Sequence, residues 1–174
     1  MPIQPATKEI LVYLQSNPQV RARIAAPPNL TLVYAGSFFR PVWQELEQLK
    51  RCSHEVASKK LLPDVLASIA IPGRPHPTLL AWVKSLEQLQ PWQENGFIIW
   101  RSLSGIYASN AVGAVSFHVG SGIDKSDKVF AVTEIPVLLR NSRIDPTTRN
   151  MLDYYQRCLQ SGRSAINLGL MRDA

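Results

Sequence analysis

The stretch 95-NGFIIWRSLSGIYASNAVGAVSFHV-119 is where the pattern of apolar residues changes, and it decides the predicted fold. Before Gly96 the apolar residues recur every three or four positions, which is the spacing of helices, whereas after it they favour extended chain. Phe97 to Leu103 is apolar on both faces, as in a central strand. Gly113 to Val119 alternates between apolar and less apolar residues, as in a half-buried strand. We therefore expect a β-sheet to begin here.

Residues 128–140 and 165–170 are the remaining strand candidates of this half. The first is an apolar run that Pro136 should interrupt or place at a sheet edge, because proline cannot donate a hydrogen bond to a strand ladder. The second follows the last predicted helix. With the two strands above, they predict a mainly antiparallel sheet of about four to five strands, drawn from the C-terminal half of the chain.

The N-terminal half is predicted to be helical apart from a short strand at Leu30 to Tyr34. Its apolar residues recur at the intervals of a buried helix face. The most sharply bounded helix comes late, at about 145–161, where Asp145-Pro146 supplies the N-cap and first position and Gly162 follows the last turn. The expected fold is α+β, a single globular domain of residues 1–174 in which the helical half packs on the sheet.

The composition is that of a soluble globular protein. Hydrophobic residues make up 45% of the chain and charged residues 18%, which argues against global disorder. The longest uncharged stretch, 102–123, contains serines, an asparagine, a histidine and glycines, so it lacks the apolar run of a membrane span. Cys52 and Cys158 cannot form a disulfide framework, and the start of the chain shows no secretory signal. We expect a cytoplasmic protein with no membrane span.

Motifs for metal, phosphate or covalent chemistry are missing from the sequence. Cys52-x-His54-Glu55 has no second local pair at zinc spacing. There is no Gly-x-Ser-x-Gly nucleophile turn, and residues 120–126 (GSGIDKS) lack the ending of a phosphate-binding P-loop. We therefore predict no metal and no cofactor, so that any chemistry must come from residues that only the fold brings together.

An ordered set of short segments resembles the ADP-ribosyltransferases. Val33-Tyr34-Ala35-Gly36, Ser102-Leu103-Ser104 and Glu134-Ile135-Pro136 follow the order of that family's aromatic-Arg-Gly strand, Ser-x-Ser strand and Glu-x-Glu pair. Ala35 stands where the family has its NAD-positioning arginine, and Pro136 where it has the catalytic glutamate. The resemblance therefore implies a relative that has lost the catalytic residues.

The basic residues give the main functional indication. The formal net charge is +6 and the pI is near 9.6. Arg140-Asn141-Ser142-Arg143 is a polar, cationic connection just before the helix that begins at Asp145, and it is suited to contact phosphate. We predict a non-enzymatic binding or accessory protein whose basic surface docks nucleic acid or an acidic protein partner. The candidate contact residues are Arg140, Arg143, Arg149, Lys59 and Lys60.

Two further hypotheses use different residues. An enzyme site assembled from distant positions would use His118, Glu134 and Arg101, and His118 or Glu134 would have to be accessible in a cleft. A structural subunit or a homo-oligomer would bury the apolar stripe of the helix around Trp82 against another chain. The salt dependence of binding, the accessibility of the candidate acid–base residues and a concentration-dependent mass distinguish these three hypotheses.

Overall fold

The computed structural model of the chain describes residues 3–35, 39–89, 95–119 and 129–161. Most of these residues are helical. A π-helical segment, Phe130–Glu134, runs directly into α8, and no helix in the described ranges is long and apolar enough to cross a bilayer. The α-helices are α1 (Pro5–Ser16), α2 (Pro18–Arg23), α3 (Phe39–Cys52), α4 (His54–Ser58), α5 (Leu62–Ala67), α6 (Leu79–Leu89), α7 (Asn95–Ser109), α8 (Ile135–Arg140) and α9 (Pro146–Ser161).

The sheet consists of two strands, β1 (Thr31–Ala35) and β2 (Val115–Val119). They pair in parallel, so each half of the chain contributes one strand. Both overlap segments that the sequence predicts as strands, but the mainly antiparallel sheet of four to five strands from the C-terminal half is wrong. The connection between β1 and β2 contains α3 to α7, a long helical crossover of the kind that parallel strands need. The strand predicted at 165–170 lies outside the described residues.

The segment Phe97 to Leu103 belongs to α7 and is not a strand. Ile99, Leu103 and Tyr107 recur every four residues and are almost fully buried. Helix α7 contacts α1, α5, α6, α8 and the π-helical segment, so it meets apolar neighbours on several sides. A short run that is apolar all round fits a buried helix as well as a central strand, and its periodicity cannot distinguish the two.

The described part of the predicted strand at 128–140 is also helical, and Pro136 explains its irregularity. In a regular α-helix the proline ring would press on the carbonyl of Val132, four residues before it, and its missing N–H would leave that carbonyl without a partner. The chain instead widens over Phe130–Glu134, where Ile135 N donates to Phe130 O in the five-residue step of a π-helix. This wider turn precedes the proline and lets the helix continue to Arg140.

The predicted late helix is confirmed as α9. Asp145 Oδ1 accepts a hydrogen bond from Thr148 N at 2.7 Å, which is the N-cap contact that the sequence predicts. The buried face packs on the side of the sheet that carries Phe117, whose ring centroid lies 5.3 Å from that of Tyr155. The buried residues follow helical spacing and are Thr148, Met151, Leu152, Tyr155 and Cys158.

The two faces of the sheet pack against different helices. One face carries Val33 and Phe117 and contacts residues of the π-helical segment, α8 and α9. The opposite face carries Leu32 and Tyr34 and packs against Leu46 of α3. Because the strands are parallel, their amino-terminal ends meet at one edge and their carboxyl-terminal ends at the other. These two edges contain the polar residues considered next.

Candidate functional site

The amino-terminal edge of the sheet is widened by the chain segments that flank it. Lys60 forms a parallel bridge to Thr31 on the outer side of β1. On the side of β2, Gly113 N donates to Arg143 O at 2.9 Å. Lys60 and the segment of Arg143 therefore lie on opposite sides of the two-stranded sheet.

The three arginines predicted around the start of α9 lie together, and the backbone holds two of them. Arg143 Nη2 donates to Ser109 O at 2.6 Å. Arg149 donates to Leu139 O at 2.8 Å and to Asn141 O at 2.5 Å. Arg140 is exposed on the last turn of α8. The guanidinium groups of Arg143 and Arg149 are thus oriented by carbonyl oxygens, which do not neutralise their positive charge.

A second basic segment, the end of α2, lies next to the α8–α9 connection that contains Arg143. Asn110 Nδ2 donates to Arg21 O at 2.8 Å and to Ile24 O at 3.1 Å. Its chain neighbour Ser109 accepts the hydrogen bond from Arg143. Two adjacent residues at the end of α7 therefore hold the α2 segment on one side and the α8–α9 connection on the other. Arg23, which is exposed, lies between Arg21 and Ile24 in that segment.

We call Arg21, Arg23, Arg140, Arg143 and Arg149 the basic edge. Arg21 joins it through its backbone, while its Nη1 donates to Leu14 O at 2.8 Å and to Gln15 O at 2.6 Å at the end of α1. The sequence identifies Arg21 and Arg23 as cationic but does not place them here, because the role of Asn110 depends on the fold. Among the described residues, none of the five arginines forms an ion pair with a carboxylate. Asp145 is the one carboxylate in the segments 20–24 and 139–150, and it caps α9. The local charge is therefore strongly positive.

The two predicted lysines have different environments. Lys59 is buried, and its ammonium lies 4.0 Å from Oε1 of Glu55, whose side chain is 64% exposed. Lys60 is exposed and forms no ion pair within the described part of the chain. Its backbone carbonyl accepts a hydrogen bond from Tyr107, which fixes Lys60 beside the start of β1. Lys60 therefore flanks the far side of the sheet edge, and Lys59 faces inward.

The residues of the hypothetical enzyme site do not form an open cleft. His118, in β2, has no exposed surface, and Glu134 is 9% exposed. Arg101 is exposed on α7. His118 Nε2 lies 3.5 Å from Glu45 Oε2 on α3, a distance and geometry short of a good hydrogen bond. Burial lowers the pKa of His118, and the Glu45 carboxylate opposes this only in part. The neutral imidazole is therefore enclosed.

Neither the oligomer hypothesis nor the resemblance to the ADP-ribosyltransferases gains support from the fold. The apolar stripe around Trp82 is buried within the fold, and Trp82 itself is 6% exposed. It is therefore not available to contact a second copy of the chain. Of the segments that resemble the transferases, Val33 to Ala35 lies on a strand, but Ser102 to Ser104 lies within α7. Glu134 ends the π-helical segment, and Pro136 is followed by helix. The resemblance therefore does not extend to the secondary structure.

Comparison with known proteins gives no relative that would assign a function. No protein-family model, curated protein or solved structure matches the chain. Within the described ranges, no group of three or more His, Cys, Asp or Glu side chains is arranged to hold a metal ion. The geometry of the basic edge is thus the main support for a functional proposal.

Proposed function

We propose that this chain is a binding protein that docks nucleic acid on its basic edge. The observation that carries the proposal is the juxtaposition of two basic segments by Ser109 and Asn110. Arg143 is held by the first residue and the backbone of Arg21 by the second. Phosphate groups are the chemistry that such a set of arginines fits best, because each guanidinium offers five N–H donors in a planar fork.

The mode of binding would be electrostatic positioning. Arg143 and Arg149 use only some of their donors on backbone carbonyls, so the remaining donors are available for phosphate oxygens. Holding a guanidinium before binding reduces the side-chain entropy lost on complex formation. Contacts of this kind neutralise phosphates and release counterions, and they carry little information about base sequence. Lys60 extends the same edge beyond β1.

The direct test is the affinity for mixed-sequence oligonucleotides, single-stranded and duplex, measured by fluorescence anisotropy over a series of salt concentrations. The double variant Arg140→Gln/Arg143→Gln should bind about tenfold or more weakly, and the slope of log affinity against log salt should fall in magnitude by about 2. Arg101→Gln/Arg157→Gln is the matched control, since it removes two exposed arginines that lie outside the basic edge. Thermal unfolding of both variants checks that the fold is intact.

Three results would overturn the proposal. The first is an unchanged affinity in the Arg140/Arg143 double variant. The second is an equal loss of affinity in the control variant, which would indicate general attraction to a positive protein. The third is binding to a polyglutamate peptide without binding to either oligonucleotide, which would favour an acidic protein partner in place of nucleic acid.

A further inference from the structure

The carboxyl-terminal edge of the sheet contains a buried histidine in an unusual environment. Tyr34 and His118 are paired in register, each one position before the end of its strand, and their side chains share the face that α3 covers. His118 has no exposed surface, and among the described residues neither ring nitrogen makes a well-formed hydrogen bond, since the nearest acceptor, Glu45 Oε2, lies 3.5 Å from Nε2. Buried polar atoms without a partner are rare in folded proteins and call for an explanation.

The charged and titratable groups around this imidazole come from three elements. Glu45 of α3 is the nearest, with a side chain that is 55% exposed. Tyr34 of β1 lies beside it, and burial together with Glu134 of the π-helical segment raises the tyrosine pKa, so its hydroxyl is neutral. The opposite face of β2 is apolar around Phe117. Within the described residues, Glu45 is the one carboxylate in ion-pair contact with His118, whereas Glu134 acts on Tyr34.

Helix α3 packs on this face through a small cluster of its own. The cluster contains Leu32, Leu46, Val56 and Leu61 as its buried members, and it is separate from the two larger cores of the described residues. Elements held by small satellite clusters open at lower free energy than the main cores. Among the described side chains, helix α3 is thus the covering element that belongs to the smallest apolar cluster.

We propose that α3 is an acid-released cover, and that binding of one proton to His118 favours a state in which α3 has separated from the sheet. In the closed state an imidazolium would be sealed from water, with only the poorly aligned Glu45 carboxylate as a partner. In the open state the charged ring is hydrated. A proton therefore binds more tightly to the open state and shifts the equilibrium toward it.

The direction of the pH effect follows from the lowered pKa of His118, whose main cause is burial. An exposed histidine has a pKa near 6.5, so the open state takes up its proton as the pH falls below that value, while the closed state does not. The open population therefore rises at acid pH. For one linked proton, the increase between about pH 7.5 and pH 5.5 is at most about tenfold.

Hydrogen exchange of the full chain, followed by mass spectrometry at pH 7.5 and 5.5 and corrected for intrinsic exchange rates, tests this proposal. Peptides from α3 should lose protection by up to about tenfold at pH 5.5, while α7 and α9 keep theirs. His118→Asn should remove the difference between the two pH values. His54→Asn is the matched control, because His54 is exposed at the start of α4 and its replacement should leave the α3 response unchanged.

Glu45→Gln provides a second variant that leaves His118 in place. Without the carboxylate the buried imidazolium is even less favourable, so the acid-induced loss of protection in α3 should be kept or enlarged. Increased protection of α3 at pH 5.5 in the unmodified protein would overturn the proposal, since the ion pair would then be holding the helix down. An equal loss in α3 and α9, or a pH difference that persists in His118→Asn, would overturn it as well.

Discussion

Asn29 and Gly113 lie in contact where the two strands begin, and together they fix the start of β2. Asn29 Oδ1 accepts a hydrogen bond from Ala114 N at 2.8 Å, and Asn29 N donates to Val112 O at 2.9 Å. Both residues adopt positive φ angles, 67° for Asn29 and 77° for Gly113. The side chain of Asn29 occupies the space that a Cβ atom on Gly113 would need.

Replacing Gly113 by alanine should therefore be costly for two separable reasons. A left-handed backbone costs an L-residue about 1–2 kcal/mol, and the added methyl group would also displace Asn29 and its hydrogen bonds. We expect Gly113→Ala to lower the free energy of unfolding by about 3 kcal/mol in urea denaturation. Gly73→Ala is the control, since Gly73 has a φ of 80° but open space around it. It should lose only about 1 kcal/mol, and equal losses in the two variants would contradict the contact.

The fold was predictable where a pattern has a single structural meaning. Alternation along residues 113–119 indicates a strand, and the capping signal of Asp145-Pro146 indicates a helix; both are confirmed. Phe97 to Leu103 is ambiguous because a central strand and an enclosed helix are apolar in the same way. The sequence predicts that Pro136 interrupts a strand or lies at a sheet edge. Rules based on local sequence do not predict that a π-helical turn can accommodate a proline within a helix. The antiparallel topology follows from these two errors.

The candidate sites were likewise predictable only where their residues are close in sequence. Arg140 and Arg143 are close in sequence, so their proximity at the basic edge can be predicted without knowledge of the fold. The approach of the α2 segment depends on Asn110, which joins it to the end of α7 through hydrogen bonds that no sequence spacing reveals. His118 is placed correctly in a strand, but its nearest carboxylate, Glu45, comes from α3, the first helix of the crossover and far from His118 in sequence.

Asn141 holds the end of α7 against the α8–α9 connection, so its loss should weaken the fold. Its amide nitrogen donates to Ala111 O at 2.8 Å and to Ala108 O at 3.0 Å, and Asn141 is 8% exposed. Asn141→Ala leaves these buried carbonyls without that donor and should cost about 2 kcal/mol in urea denaturation. Asn150→Ala, at an exposed position of α9, should change stability by less than about 0.5 kcal/mol.

Asn141→Asp refines this prediction. A carboxylate cannot donate to Ala108 O or Ala111 O and would repel both carbonyl oxygens, so the loss at neutral pH should exceed that of Asn141→Ala. Because Asn141 Oδ1 also accepts from Arg143 N at 2.9 Å, Asn141→Ala should weaken oligonucleotide binding as well. Asn141→Asp keeps an acceptor for Arg143 N but should weaken binding by adding a negative charge at the basic edge. If Asn141→Asp proved as stable as the unmodified protein, the donor role of this amide would be refuted.

Tyr34 and Tyr107 predict a loss of stability at alkaline pH. Burial raises the pKa of both phenols well above the ordinary value of 10. The unfolded chain therefore releases these protons near pH 10 while the folded chain retains them. Stability is fully present below pH 10 and falls as the pH rises above it. Absorbance of tyrosinate should show Tyr34 and Tyr107 ionising only as the protein unfolds.

Phenylalanine variants separate the two phenols. Tyr34→Phe and Tyr107→Phe should each reduce the number of late-ionising groups by one. Tyr107→Phe should also destabilise the protein at neutral pH, because it removes the hydrogen bond to Lys60 O. Ionisation of Tyr34 and Tyr107 near pH 10, with the fold intact by circular dichroism, would contradict the raised pKa of these two phenols.

Arg74 should stabilise the packing of α1 on α6 mainly through its guanidinium plane. Its Cζ atom lies 4.9 Å from the ring centroid of Tyr13 and 4.7 Å from that of Trp82, and Nη1 lies 2.6 Å from Glu9 Oε1. The Glu9 side chain is 60% exposed, so water screens this ion pair and Glu9→Gln should cost at most about 0.5 kcal/mol.

Arg74→Ala removes both ring contacts and should cost about 1–2 kcal/mol in urea denaturation. Arg74→Lys keeps the charge but loses the flat stacking surface, so it should fall between the other two variants. The order of the three losses identifies the dominant interaction. If Glu9→Gln were as damaging as Arg74→Ala, the ion pair and not the aromatic contact would hold the two helices, because only that pair is common to both substitutions.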